Sequence, residues 1–169
     1  MRLRTTVAGT ATVLAALFSA GWSAAPAPAA TTCTWGGTPL APTGTFKQST
    51  GATNTPSTEP VPFTATGPLA GGCSGTLTYR GSVAAGATCA FGPFEAKATG
   101  LPGVVRAAGD NIAGLVPALL YDKAGNVVGS ENPQLVTDGT EERNFLFTDC
   151  NSPEGFKEGH FSSVIELFG

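Results

Sequence analysis

Histidine occurs once in the 169 residues, at His160, so any Ser–His–acid or Cys–His catalyst in this chain must be built on that one imidazole. Ser162 and Ser163 follow it, but a hydroxyl two residues along a strand shares the ring's face without the bend that nucleophilic attack needs, and no G-x-S-x-G elbow occurs. His160 therefore reads as an exposed loop or strand-start residue. Carboxylates are more plentiful. Glu141, Glu142, Asp149, Glu154, Glu158 and Glu166 stand against only Arg143 and Lys157 in the C-terminal stretch. Two acids flanking a glycosidic bond could hydrolyse it, and the loop from Asp138 to Glu142 could hold calcium. Yet Trp35, Tyr79 and Tyr121 are the sole aromatics other than Phe beyond residue 29 for stacking a sugar, and no D-x-D-x-D-G loop is present. These acids read as a solvated surface, Gly71-Gly72 as a turn, and the Thr64/Thr66 and Thr76/Thr78 pairs as an ordinary strand face. No catalytic, cofactor-binding or metal-ligating residue is assigned, and no cofactor is expected.

The remaining reactive side chains are Cys33, Cys73, Cys89 and Cys150. They form no C-x2-C pair, which disfavours zinc, and an even set in an oxidising compartment reads as two disulfides. Three connectivities are open. Cys33 with Cys73 and Cys89 with Cys150 is preferred, because the segment between the first two is poor in core-forming residues and gains most from a covalent tie. The compartment follows from the start of the chain. Arg2 and Arg4 precede an apolar stretch centred on Val13 to Phe18 and then Ala27-Pro28-Ala29, the pattern of a secretory signal peptide over residues 1–29. Cleavage leaves a single domain at 30–169, secreted and extracellular, either free or associated with the cell wall. Loss of Arg2 and Arg4 takes the net charge from −3 to −5. That balance disfavours nucleic acid and anionic membrane surfaces and leaves a wall component or another secreted protein as the expected partner, with no membrane insertion after cleavage.

Only 12% of residues are charged, which leaves little material for long solvent-facing helices. Alternation takes over from residue 61. Val61, Phe63 and Ala65 point one way, as do Leu77, Tyr79 and Val83, then Phe94, Ala96 and Ala98, with polar residues between them. The run Leu115 to Tyr121 is apolar throughout, as in a strand covered on both faces. Asp122 and Gly125 mark a hairpin returning at Val127-Val128. Further strands are expected at Asn144 to Thr148 and at Phe161 to Phe168. The Thr- and Pro-rich segment 30–62 reads as exposed loops and edge strands rather than a glycosylated stalk. About nine short strands with two disulfides predict an all-β antiparallel two-sheet sandwich, immunoglobulin-like or a related Greek key, with a closed barrel as the alternative.

Three stretches together resemble a group of small secreted proteins of actinomycetes: Thr32 to Gly37, Leu119 to Asn132, and Asp149-Cys150 through Pro153 to Phe156 and Phe161 to Val164. That resemblance implies export and compactness and carries no activity. The Ala/Thr/Gly-rich acidic composition is similar, at the level of fold alone, to the apoproteins that bind enediyne chromophores in an immunoglobulin-like sandwich. Those close short loops with nearby cysteines, whereas the smallest gap here is 16 residues, from Cys73 to Cys89. The expected function is a secreted, non-catalytic binding or envelope-associated structural protein. The alternatives are a wall or polysaccharide hydrolase using the C-terminal acids, and a small ligand carrier or inhibitor.

Overall fold

The structure is a computed structural model that describes residues 29–110, 117–136 and 149–169, without the side chains of 134–136. Its strands are β1 (Thr31–Trp35), β2 (Gly37–Thr38), β3 (Ala41–Pro42), β4 (Gly44–Ala52), β5 (Val61–Gly71), β6 (Gly75–Val83), β7 (Pro93–Thr99), β8 (Arg106–Asp110), β9 (Ala118–Tyr121), β10 (Val127–Val136) and β11 (Phe156–Leu167). A 3-10 turn, Asp149–Asn151, precedes β11.

The two-sheet sandwich is not what forms. From β5 to β11 every strand pairs antiparallel with the next, and β1 and β4 each pair with both β5 and β11, so one sheet closes into an eight-stranded antiparallel barrel. In a sandwich the inner faces of two sheets interdigitate across a core about 10 Å thick. Here the inward positions alternate between large and very small, with Trp35, Tyr79, Leu120 and Phe161 beside Ala65, Gly67, Gly81, Ala96, Ala98 and Ala107. That mixture suits the narrow lumen of eight strands, which side chains alone can fill.

β1 and β4 share one position in the barrel wall. Trp35 lies opposite Leu69 and Ser163, while Thr45 lies opposite Thr66 and Gly44 opposite Phe161, so Gly36 and Gly44 occupy consecutive registers. Residues 37–43, which hold the β2–β3 hairpin, are thus an insertion in an otherwise continuous strand. Glycine is required there. A Cβ on Gly67 would stand 2.9 Å from Gly36 Cα and 3.1 Å from Gly44 Cα, and Gly36 itself has φ of 74°. Prolines of β5 mark both irregularities of this wall. Gly36 donates to the Pro68 carbonyl (2.9 Å), so the even residues of β5 turn their backbone groups toward β1 and β4. Pro68 has no N–H to offer where the strand is interrupted, and Pro62 has none where the β4–β5 ladder ends, at Gln48 opposite Phe63.

Aromatic rings fill the lumen. Trp35, 1% exposed, sits 4.5 Å from the rings of both Tyr79 and Phe161 and donates its indole N–H to the Leu77 carbonyl at 3.0 Å. A second cluster lies nearer one rim, where Phe46 stacks on Phe63 and Phe156, and Phe94 meets Phe63 edge-on.

The two rims differ. One is made of close connections, at residues 72–74, 100–105 and 122–126, and the Cys33–Cys73 disulfide lies on this side. The opposite rim carries, among the described residues, the longer connections 53–60 and 84–92 and the turn 149–155 that leads into β11, and the Cys89–Cys150 disulfide ties the second of these to the third. Both pairings are the ones preferred from the sequence.

Candidate functional site

The loop-rich rim owes its shape to Pro60 and Pro62. β4 continues to Ala52 without β5 beside it, and the connection 53–60 swings outward before returning. Backbone bonds hold that connection at several points: Asn54 N–H to the Cys150 carbonyl (3.2 Å), Cys89 N–H to the Thr53 carbonyl (2.7 Å), Ser57 N–H to the Ala87 carbonyl (2.8 Å) and Gly86 N–H to the Ser57 carbonyl (2.7 Å). The Cys89–Cys150 disulfide therefore locks three segments into one rim. Between the end of β4, the connection 53–60 and the residues Val83, Ala87 and Thr88 lies a cleft of about 590 Å³. Ser49, Thr53, Thr55, Ser57 and Thr88 give it a hydroxyl lining, its apolar walls include Pro56, Pro60, Pro62 and Val83, and Glu59 is its one charged residue. Such a lining offers hydrogen bonds and small apolar contacts but no nucleophile–base pair.

A second polar feature is enclosed by the barrel. Glu131 of β10 is 3% exposed and accepts a hydrogen bond from the Tyr79 hydroxyl at 2.6 Å. Burial raises its pKa to about 7, against the lowering effect of Tyr79 and then Ser163. Burial first, then the Glu131 charge, pushes the Tyr79 phenol well above its ordinary value. The Ser163 hydroxyl lies close enough to favour the ionised carboxyl, but not in hydrogen-bonding geometry; it is the one fully enclosed side-chain polar atom without a partner among the described residues. Trp35, Phe161, Leu120 and Ile165, all at most 2% exposed, share this interior.

The residues singled out in the sequence do not converge. His160 lies within β11, half-buried, with Nδ1 3.3 Å from the Gly44 carbonyl. Ser162 faces outward beneath the β2–β3 hairpin, whereas Ser163 faces the lumen. Glu158 pairs with Lys47 at 3.0 Å, and Glu166 stands eight residues further along the same strand, about 26 Å away at the rise of a β-strand. Glu154 is exposed in the turn before β11, Asp149 lies in the 3-10 turn, and Glu141, Glu142 and the Asp138 loop lie outside the described residues. Among the described residues, no three His, Cys, Asp or Glu side chains gather as a metal site would need. Thr66 and Thr78 bond each other at 2.7 Å on the outer wall. Sequence reasoning missed Glu131, which stands in a polar stretch, Gly129 to Gln134, with no alternation to show which way it points.

No family model, curated protein or solved structure matches this chain.

Proposed function

We propose that this is a secreted, non-catalytic binding protein of the extracellular space or cell envelope, and that the loop-rich rim is its contact surface. The observation that carries this reading is the difference between the two rims. One is reduced to short connections, while the other holds longer loops, locks them with a disulfide and frames a hydroxyl-lined cleft, as expected where a rigid scaffold presents binding loops. The filled aromatic lumen supports a scaffold role for the barrel, and the spread of Glu158 and Glu166 along β11 gives the hydrolase alternative no carboxylate pair there.

The test uses the oxidised domain beginning at residue 30. It is expected to be retained by insoluble envelope material or by a secreted protein, and to leave ester, peptide and glycoside reporters intact. Thr55→Arg with Thr58→Arg, two exposed cleft positions, should lower that retention about tenfold while leaving the thermal transition in place. Reporter hydrolysis abolished by His160→Ala or Glu131→Gln would overturn the reading.

A further inference from the structure

The antiparallel register places Lys47 of β4 opposite Thr64, Thr64 opposite Arg80, Arg80 opposite Lys97, and Lys97 opposite Arg106. All five point away from the lumen, since the residues on either side of them, such as Phe63, Ala65, Tyr79, Ala96 and Ala107, face it. Four of the seven Lys and Arg beyond residue 29 therefore lie in one row across the outer wall. Arg80, Lys97 and Arg106 are direct cross-strand neighbours, an arrangement that like charges disfavour and that strand pairing alone gives no reason to keep. Arg106 lies over the Tyr121 ring, its Cζ 3.8 Å from the centre, and among the described residues its ion pair is with the exposed Glu95 at 3.3 Å. Among the described residues neither Arg80 nor Lys97 takes part in an ion pair. A shallow depression of about 400 Å³, lined by Lys97, Arg106, Val105 and Glu95, opens on this wall.

A second row runs beside the first, two residues along each strand. Thr45, Thr66, Thr78 and Thr99 lie opposite one another across β4 to β7. The wall thus offers parallel rows of cations and hydroxyls, spaced at the ~4.8 Å interval between strands and running about 19 Å along the curved wall from β4 to β8.

We propose that this wall binds a single-chain acidic polysaccharide, lying across the strands with carboxylates on the Arg80–Lys97–Arg106 row and sugar hydroxyls against the threonines. At an ionic strength of about 0.15 M a thin chain stays within a Debye length, about 8 Å, of the row, whereas a bilayer or a duplex also meets the acidic remainder of the molecule. The site is separate from the rim cleft, and the proposal stands or falls independently of it.

The probe is polygalacturonate, a linear polymer with a carboxylate on each sugar, added to the oxidised domain from residue 30 at low salt. Binding is expected, weakening as salt rises and absent for the fully methyl-esterified polymer. Arg80→Gln with Lys97→Gln should weaken it at least about tenfold, and Glu95→Gln, which frees Arg106, should strengthen it. Thr55→Leu with Thr58→Leu in the cleft, which adds no charge, should leave it unchanged. An unaltered circular dichroism spectrum for each variant excludes unfolding as the cause. No binding at low salt, binding unaffected by Arg80→Gln with Lys97→Gln, or equal binding of inorganic polyphosphate or duplex DNA would overturn the proposal.

Discussion

Glu131 lies where the pleat of β10 turns a side chain into the lumen, and among the described residues its surroundings supply a phenol donor and a serine hydroxyl but no cation. Its carboxyl is therefore easier to keep protonated in the folded barrel, near pKa 7, than in the unfolded chain, near 4.5. The resulting stabilisation is fully present below about pH 4.5 and is lost as pH rises through 7, with a total of roughly 3 kcal/mol. Urea denaturation of the wild type between pH 5 and 9 is expected to show this loss. Glu131→Gln, which still accepts from Tyr79 and carries no charge at any pH, should remove that part of the slope and be the more stable protein at pH 9. Equal slopes for the two proteins would count against a lumen-facing, cation-free Glu131. The residue was hidden in the sequence because a bulge between Val127 and Gly129 shifts the inward parity of β10. Tyr79 had no such irregularity on β6, and its inward direction was legible from Leu77 and Val83.

The shared position of β1 and β4 is the element with the most direct structural consequence. Because Gly36 and Gly44 occupy consecutive registers, deletion of residues 37–43 should leave the wall closed and expose Ser162, with thermal unfolding still cooperative. Gly44→Ala, by contrast, drives a methyl to 2.7 Å from the Phe161 ring and carbonyl and is expected to cost about 1–3 kcal/mol or more in chemical denaturation. Local chemistry was the readable part at this scale. The Asp122 hairpin forms as expected, with its carboxylate accepting from the Asn126 backbone at 2.8 Å and Gly125 at φ 88°. Segment 30–62 reads as loops and edge strands from its Thr- and Pro-rich composition, yet β1 and β4 are wall strands, each paired with β5 on one side and β11 on the other. Leu119, expected to be covered on both faces, is 40% exposed on the outer wall, since a barrel has one interior rather than two. The strand expected at Asn144 to Thr148 lies outside the described residues.

For the molecule as a whole, the two covalent ties divide the work: Cys33–Cys73 fastens the first strand, and Cys89–Cys150 fastens the rim. Each encloses a long stretch, 40 and 61 residues, which in the chain-entropy account stabilises the fold by roughly 4 kcal/mol. Cys89→Ser with Cys150→Ser is expected to lower the thermal midpoint by roughly 10–20 °C and to speed amide exchange in 53–60 and 84–92 ahead of β5 to β7. The pairing was legible because core-forming residues are scarce between Cys33 and Cys73. Closure of the sheet was not, because strand number and alternation are the same for a sandwich and a barrel, and the deciding contacts join residues more than a hundred positions apart, such as Gly44 with Phe161. Those contacts also set the order of events in folding. β11 follows every one of its partners in the chain, so a growing polypeptide can assemble the sheet from β1 and β4 through β5 to β10 but leaves it open, with two adhesive edges, until β11 arrives. The barrel is thus assembled by its ends meeting last, and a chain released short of Phe156 would be a template for self-association rather than a smaller version of the same protein.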